Sequence, residues 1–254
     1  MDRLICVLGA LREEIKLIRG QMTITEQFKL GRADAWTGCW EDVPILLVRT
    51  GIGKDCAIEA LEKVLSRVNP SLIFSIGYAG GLDPKLTVGD LILADQVLKI
   101  NAAHVDVGSY PIDLKKIELL EGMVYLKKIA VYRGKLITVD QVIADSATKA
   151  KLGSLYNALA VDMETAALID HATKKNISIL SVRAISDTFE QSLLNVSSLL
   201  GDDGEVSRIK AGWYVITHPH RIKNLICLRE QSEKATRNMT EFLRVFLHKY
   251  HRLA

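Results

Sequence analysis

The sequence has few of the residues that mark specialised protein classes. Among its 254 residues there are only four cysteines, five prolines and 6% aromatic residues. The cysteines (Cys6, Cys39, Cys56 and Cys227) are far apart and form no CxxC pair, so we expect no metal ion, no redox motif and reduced thiols. The apolar opening LICVLGAL has about eight residues, whereas a membrane-spanning helix needs roughly 20. Charged residues follow it at once, which is not typical of a signal peptide, and we expect a cytoplasmic protein.

An excess of charge of one sign is also missing. The formal net charge is +3, with 25% charged and 48% hydrophobic residues. So small a positive excess does not indicate a nucleic-acid partner. The length suits one large α/β domain with a substantial buried core.

Apolar runs of strand length alternate with stretches of helical pattern. Continuous apolar, β-branched runs separated by helices favour a sheet that is buried on both faces. We predict a three-layer α/β/α sandwich around a mixed, mostly parallel twisted sheet, with C-terminal amphipathic helices. The predicted strands lie at 4–10, 44–51, 71–77, 89–97, 129–140 and 177–187.

The part of the chain after Asp187 has a different pattern. Residues 190–205, EQSLLNVSSLLGDDGE, are typical of a loop. Beyond them one apolar stripe recurs at helical spacing, and this tail has eight Lys and Arg residues against three Glu from His218 onward. The stripe fits either a helix packed on the domain or a surface that contacts a membrane. Its members are Leu225, Leu228, Ser232, Ala235, Met239, Phe242 and Phe246.

Two glycine-rich stretches follow predicted strands. TGIGKD (50–55) lacks the frame of a phosphate loop, although a tight turn before a helix offers backbone N–H groups to an anion. SIGYAGGLDPKLTVGD (75–90) has three glycines where a buried strand ends. They indicate either a plain turn or a place where a ligand lies against the backbone, because glycine has no Cβ.

Four acidic residues and one arginine follow the predicted strands. Asp162 and Glu164 lie where an apolar run meets a helix, a position that also suits simple helix capping. Arg183 and Asp187 end another strand, and Glu14 follows the first one. Several carboxylates with an arginine suit a reaction that protonates a leaving group and stabilises a cationic centre. Cleavage of a glycosidic bond is such a reaction.

These motifs together resemble a known family. GALREEI, TGIGK, GYAGGLDPKLTVGD, AVDMETAA and VRAISD occur in the order of the purine nucleoside phosphorylase/uridine phosphorylase superfamily. The nearest large branch is methylthioadenosine/S-adenosylhomocysteine nucleosidase. GYAGGLDP, AVDME and the tail with GDDGE also resemble the hopanoid-associated phosphorylase-like branch, the adenosylhopane nucleosidases. The resemblance implies a single domain over 1–254, with a catalytic core at 1–190 and a loop plus C-terminal helical extension at 191–254.

The resemblance assigns chemical roles to the acidic residues. Glu164 would hold the ribose hydroxyls, Met163 would pack against the sugar, and Asp162 would be structural. Asp187 would protonate or hydrogen-bond N7 of the departing purine, and we expect burial to raise its pKa. Glu14 would act as the general base that activates water.

The resemblance also implies the residues that bind the substrate. Arg183 and Ser186 would orient the acids or contact the nucleophile, and Ala79, Gly80 and Ile143 would line the base pocket. Two residues depart from the nucleosidase pattern. Tyr78 replaces a small hydroxyl residue, which would reshape the nucleophile pocket, and Val142 replaces an aromatic that commonly stacks on the purine.

Several features of the activity stay open at the level of sequence. Arg49, Arg183 and the 51–53 turn are few groups for binding phosphate, and Glu14 would repel it, which favours hydrolysis over phosphorolysis. The substrate is a purine nucleoside, either a lipid-linked adenosine or a methylthioadenosine type, and no cofactor is implied. The family suggests a homodimer, and the basic tail suggests peripheral contact with a membrane. The competing interpretation is a nucleoside-binding protein without turnover. His104 is expected to be a surface histidine.

Overall fold

The computed structural model describes residues 4–123, 128–191 and 222–252 and shows a mixed α/β fold, as the sequence predicts. Ten strands lie in the described part. They are β1 (Ile5–Gly9), β2 (Thr23–Leu30), β3 (Ala33–Trp40), β4 (Val43–Arg49), β5 (Leu72–Gly81), β6 (Leu91–Ile100), β7 (Asp106–Pro111), β8 (Val131–Thr138), β9 (Ala160–Asp162) and β10 (Ile179–Asp187).

Six helices lie in the same ranges. They are α1 (Arg12–Gln21), α2 (Lys54–Leu65), α3 (Leu114–Met123), α4 (Ser146–Tyr156), α5 (Thr165–Lys174) and α6 (Ile222–Arg252). Most of them begin within a few residues of a strand end. That arrangement follows from the alternation of apolar runs and helical patterns along the sequence.

One sheet contains all ten strands, in the order β10-β6-β8-β9-β5-β1-β4-β3-β2, with β7 paired to β6 and β10 also paired to β5. Its pairings are mixed. Five of the ten pairings in the described chain are parallel, and they join β1, β4, β5 and β10 in one group and β6, β8 and β9 in another. The second group runs antiparallel to the first. The strands of the first group end at a common edge, which is where a binding crevice forms in such sheets.

Four of the ten strands are missing from the six predicted ranges: β2, β3, β7 and the three-residue β9. β2 and β3 form an antiparallel hairpin that continues into β4, and β7 is an antiparallel neighbour of β6. All but the last residue of β2 are exposed or half-buried, and β7 has no buried residue. A search for continuous apolar runs misses β2 and β7 because these two strands bury too little of either face.

The central strands supply the core. Every residue of β1 is buried, as are Ile45, Leu46, Leu47 and Val48 of β4. These continuous apolar runs are typical of strands that are covered on both faces. A single large hydrophobic cluster joins them to residues of α1, α2, α5 and α6.

Helix α6 packs its apolar stripe into that same cluster. Ala235, Met239, Phe242 and Phe246 are buried, and the rings of Phe246 and Phe74 meet edge to face at 5.1 Å. This packing favours the first of the two alternatives for the stripe, a helix docked on the domain. The side chains of Leu225 and Leu228, and the predicted loop from residue 192 onward, lie outside the described residues. Among the described helices, none combines the length and apolarity that crossing a bilayer requires.

Candidate functional site

Strand register brings the sequence-predicted residues to one edge of the sheet. β5 and β10 are parallel, with Arg183 opposite Gly77 and Asp187 opposite Gly80. β9 lies on the other side of β5, with Val161 opposite Gly80, and it ends at Asp162. The acids and the arginine are therefore neighbours because of pairing between strands that are about a hundred residues apart in the chain.

Glu14 lies in the first turn of α1, where its carboxylate accepts three backbone hydrogen bonds. Oε2 accepts from the N–H groups of Ala10 and Leu11 at 2.8 and 2.9 Å, and Oε1 accepts from the N–H of Tyr78 at 3.0 Å. The side chain thus satisfies N–H groups at the start of its own helix. It also ties α1 to β5, which holds the carboxylate in one place.

The environment of Glu14 acts on its charge in two directions. The residue is only 4% exposed, and this burial raises the pKa of its carboxyl group, whereas the three N–H donors and Arg183 lower it. Burial is the larger effect. The carboxylate lies so close to Gly77 that a Cβ there would be 3.0 Å from Oε1. The glycines of this motif lie inside β5, and Gly77 makes room for an acid of the protein itself.

Glu164 lies between β9 and α5 and reaches the start of α2. Its Oε1 accepts a hydrogen bond from the N–H of Gly53 at 3.0 Å. Gly53 has a φ of +91°, a conformation that favours glycine. The TGIGKD turn therefore does offer an N–H group to an anion, and in this structure the anion is Glu164. Burial, together with the charges of Asp162 and Glu14, raises the pKa of Glu164 to about 7.

The raised pKa makes Glu164 a source of instability at alkaline pH. The unfolded chain ionises this carboxyl near its ordinary value of 4.5, and the folded chain does so only near 7. The folded state therefore binds more protons between these values, and its stability decreases as the pH rises through them. We expect Glu164→Gln to raise the free energy of unfolding above neutral pH, by about 3 kcal/mol at most, and to have little effect near pH 4.

Urea unfolding at the two pH values measures this effect. The amide oxygen of glutamine still accepts the hydrogen bond from Gly53, so the contact is kept while the charge is lost. The control is Glu190→Gln, which removes an exposed carboxylate from the turn after β10, and no comparable gain is expected. An equal change of stability at both pH values for Glu164→Gln contradicts the prediction.

Arg183 and Asp162 form a buried ion pair beneath the site. Arg183 Nε donates to Asp162 Oδ2 at 2.8 Å, and both side chains are at most 3% exposed. The guanidinium also donates to the carbonyl and the hydroxyl of Ser75, to the Thr165 hydroxyl and to the Val182 carbonyl. Asp162 also accepts hydrogen bonds from the backbone N–H of Thr165 and from the Thr138 hydroxyl. The sequence left Arg183 and Asp187 open as an ion pair or as crevice groups, and Arg183 pairs with Asp162.

Asp187 is held by a residue that the sequence did not single out. Its Oδ2 accepts from Lys149 Nζ at 2.5 Å, and its Oδ1 accepts from the Ser186 hydroxyl at 2.8 Å. A Cβ at Gly80 would be 3.0 Å from Oδ2, so Gly80, like Gly77, makes room for an acid. The sequence analysis considered only the burial of Asp187 and no charged partner. The structure places the ammonium group of Lys149 beside this carboxylate.

A small cavity lies between the two glutamates and Arg183. Glu14, Glu164, Arg183 and Thr50 line it, together with backbone from β1 and β5. The space open to a water molecule is about 20 Å³. A polar cavity of this size holds about one water. The arrangement places two carboxylates beside a site for a single small nucleophile.

Of the other predicted binding residues, Tyr78 lines this cavity, whereas Ala79, Met163, Val142 and Ile143 are not part of its lining. The Tyr78 hydroxyl contacts the Thr236 hydroxyl of α6 at 2.6 Å. Ala79 is buried, Met163 and Ile143 are half-buried, and Val142 is 54% exposed. The carbonyl of His104 accepts a hydrogen bond from Tyr156, and Arg49 pairs with Asp34 at 2.5 Å.

The charges of the site favour a cationic reaction centre. Four carboxylates (Glu14, Asp162, Glu164 and Asp187) face only two cations, Arg183 and Lys149. Fixed negative charge in a buried place stabilises positive charge that develops during a reaction. Within the described ranges, no group of three or more His, Cys, Asp or Glu side chains is arranged to hold a metal ion.

Comparison with known proteins agrees with this geometry. A sequence model of the phosphorylase superfamily matches residues 4–208. The chain belongs to the phosphorylase superfamily. This membership confirms the resemblance of the five motifs, and with it the prediction of an enzyme that acts on N-glycosidic bonds. All the acids of this phosphorylase-superfamily site lie within the matched residues.

Solved structures with the same fold cover nearly the whole chain. The 5′-methylthioadenosine/S-adenosylhomocysteine nucleosidase of Neisseria meningitidis, in complex with methylthio-immucillin-A, is 20% identical with a TM-score of 0.76, covering 97% of this chain and 99% of its own. The futalosine hydrolase of Helicobacter pylori strain 26695 is also 20% identical with a TM-score of 0.76, covering 98% and 99%. A nucleosidase from Colwellia psychrerythraea, in complex with adenine, is 17% identical with a TM-score of 0.76, covering 97% and 95%. At this identity the likeness concerns the fold.

Proposed function

We propose that this protein hydrolyses the N-glycosidic bond of a purine nucleoside and releases adenine. The observation that carries the proposal is the cavity for one water between Glu14 and Glu164. A nucleophile there would attack the sugar carbon while the acids of the site stabilise the oxocarbenium-like transition state. Further support comes from the solved relatives, which include nucleosidases bound to adenine and to a methylthio-nucleoside analogue.

Glu14 is the proposed general base. Its carboxylate borders the cavity and is fixed by three backbone N–H groups, so it needs no rearrangement to accept a proton from the attacking water. The raised pKa increases its basicity relative to an exposed glutamate. Glu164 is proposed to bind the ribose hydroxyls through its second oxygen, with the half-buried Met163 against the sugar.

Asp187 is the proposed acid for the leaving base. It lies at the end of β10 beside Gly80, with Ser186 orienting one of its oxygens. Protonation or hydrogen bonding at N7 of the purine lets the base depart as a neutral molecule. Ala79, Gly80, Val142 and Ile143 are proposed to line the base pocket around it.

Water is preferred over phosphate as the nucleophile. The two arginines that the sequence offered for phosphate are engaged with carboxylates, Arg49 with Asp34 and Arg183 with Asp162. A phosphate dianion needs several cationic or N–H donors, and Arg183 is the one cation among the residues that line the described cavity. Glu14 would in addition repel it.

The 5′ group of the nucleoside is the finer part of the proposal. The sequence motifs favour a lipid-linked adenosine such as adenosylhopane, in hopanoid biosynthesis, and the alternative is methylthioadenosine or S-adenosylhomocysteine. A homodimer and peripheral membrane contact are further proposals from the same resemblance. Because the described part of the apolar stripe, from Ala235 to Phe246, is packed in the core, the proposed membrane contact uses exposed basic residues of α6 such as Arg229 and Arg237.

Base release from four substrates tests the proposal. Adenosine, methylthioadenosine, S-adenosylhomocysteine and a long-chain 5′-alkyl adenosine are each incubated with the protein, with and without phosphate. Adenine and the sugar product are quantified by chromatography. We expect adenine and free ribose product without phosphate, fastest from the alkyl substrate.

Each other result changes a specific part of the proposal. Faster release from methylthioadenosine assigns the protein to the alternative substrate class. A ribose 1-phosphate that forms only with phosphate makes the enzyme a phosphorylase and removes the general-base role of Glu14. Binding of the nucleosides without release of base supports the non-catalytic alternative.

A further inference from the structure

Lys149 is a fully buried lysine in the first turn of α4. Its relative exposure is 0%, and it is among the largest fully buried side chains of the described chain. Burying an ammonium group costs several kcal/mol unless every N–H finds a partner. A lysine at such a place is therefore retained only where its charge or its proton has a use, or where its contacts fully offset the cost.

All three N–H groups of Lys149 have acceptors on one short segment. Nζ donates to Asp187 Oδ2 at 2.5 Å, to the Thr188 carbonyl at 2.9 Å and to the Gln191 carbonyl at 2.9 Å. An ammonium group has three donors and no acceptor, so these contacts use it completely. The side chain thus ties α4 to the end of β10 and to the turn that follows.

This ion pair is separate from the other charged groups of the site. The Lys149 side chain bonds to Asp187, Thr188 and Gln191. The other oxygen of Asp187 accepts from Ser186. Arg183 bonds to Asp162, and Glu14 and Glu164 bond to backbone N–H groups. Beside and along α4, and in the turn after β10, the remaining charged side chains are exposed to solvent. They are Asp145 and Lys151 around α4 and Glu190 in the turn.

We propose that the Lys149–Asp187 pair, and not Asp187 alone, is the acid that releases the base, with Lys149 as the positioning residue and proton source. The inference rests on the proposed nucleoside cleavage. In a buried pair, moving one proton from Nζ to the carboxylate removes two charges from a place of low polarity. Asp187 then has an O–H group for N7 of the purine without taking a proton from solvent.

Protons and electrons balance in the proposed step. The Lys149 N–H bond breaks and leaves a neutral amine, and the proton joins the Asp187 carboxylate. As the bond between the sugar carbon and N9 breaks, its electron pair goes to the purine, and the Asp187 proton goes to N7. Water forms the new bond to the sugar carbon and gives a proton to Glu14. After the products leave, Lys149 takes a proton from solvent and Glu14 returns one.

Lys149→Met tests the inference because methionine keeps the length and removes the charge and the proton. Without the lysine, Asp187 can donate only after binding a proton from solution, which is harder as the pH rises. For an adenine nucleoside we expect kcat/KM to fall about 100-fold or more near pH 8 and much less near pH 5.5. For 4-nitrophenyl riboside, whose leaving group departs without a proton, we expect no change.

Companion variants keep the test decisive. Lys149→Arg retains the charge but cannot give up its proton, so kcat/KM should fall at pH 8 much as it does in Lys149→Met. Adding Lys149→Met to Asp187→Asn should not lower kcat/KM any further, because the lysine acts through Asp187. This double variant also avoids leaving a buried carboxylate unpaired if Lys149→Met does not fold. Lys151→Met, an exposed lysine of the same helix, is the matched control and should match the wild type.

The outcomes separate this inference from the proposed function. If the wild type releases no base from any nucleoside, the proposed function fails and this inference fails with it. If the wild type releases adenine, a loss in Lys149→Met that is the same at both pH values overturns the inference alone. An equal loss on the nitrophenyl riboside also overturns it. The pH comparison on the adenine nucleoside is sufficient when the riboside is a poor substrate.

Discussion

Glu14→Gln is expected to lower kcat for base release by about 10²- to 10⁴-fold, the usual contribution of a general base. Glutamine cannot take a proton from the attacking water. The substitution also disturbs the local structure, because three backbone N–H groups point at the two carboxylate oxygens. The amide oxygen of glutamine can accept from one side, but its NH₂ group then faces an N–H donor.

Two measurements separate the chemical loss from the structural one. Single-turnover adenine release gives the rate of the chemical step, and urea unfolding gives the stability of the same preparation. Glu13→Gln is the matched control, because it makes the same substitution one residue earlier at an exposed side chain. We expect it to keep the activity of the wild type. Retention of full activity by Glu14→Gln excludes Glu14 as the base.

Arg183→Met is expected to destabilise the fold by about 3–5 kcal/mol, the usual result of breaking a buried ion pair from one side. The variant leaves the Asp162 carboxylate without its cation, and the polar groups of Ser75 and Thr165 without their donor. Such a loss is a large part of the stability of an average domain. The free energy of unfolding in urea measures it.

A surface pair of the same chemistry is the control. Arg32 donates two hydrogen bonds to Glu59, with Arg32 exposed and Glu59 half-buried, and Arg32→Met should change the unfolding midpoint little. Adding Asp162→Asn to Arg183→Met should recover part of the lost stability, because the uncompensated charge is then gone. If Arg183→Met is no more harmful than Arg32→Met, the pair does not hold the strand ends together.

The sequence is most informative about the buried strands and the acids that follow them. Continuous apolar runs predict β1, β4, β5 and β10, and these strands carry or adjoin Glu14, Gly77, Arg183 and Asp187. Parallel strands end at one edge, so placing the chemistry there follows from the pattern alone. Strand β2 is missed because its residues are mostly exposed. Strand β3 is missed because polar residues such as Asp34 and Thr37 interrupt its apolar ones.

The contacts inside the site are the part that sequence does not predict. A lysine in a helical stretch is typical of a solvated face, so nothing in the local pattern marks Lys149 as buried. Its partner Asp187 is 38 residues away, and the two meet only when the fold brings the Lys149 side chain to the end of β10. Tyr78 and Thr236 are 158 residues apart, and their contact depends on how α6 docks. Such pairings come from tertiary packing, which periodicity does not encode.

Thr236 has a consequence for how the protein matures. Its hydroxyl bonds to the carbonyl of Glu13, 223 residues earlier, and to the hydroxyl of Tyr78. Because a ribosome makes the chain from the N-terminus, α1 and β5 leave the exit tunnel long before α6 exists. Until then, the apolar surface that Met239 and Phe242 later cover is exposed to solvent and accessible to chaperones. The nascent enzyme therefore becomes competent only after α6 has been made.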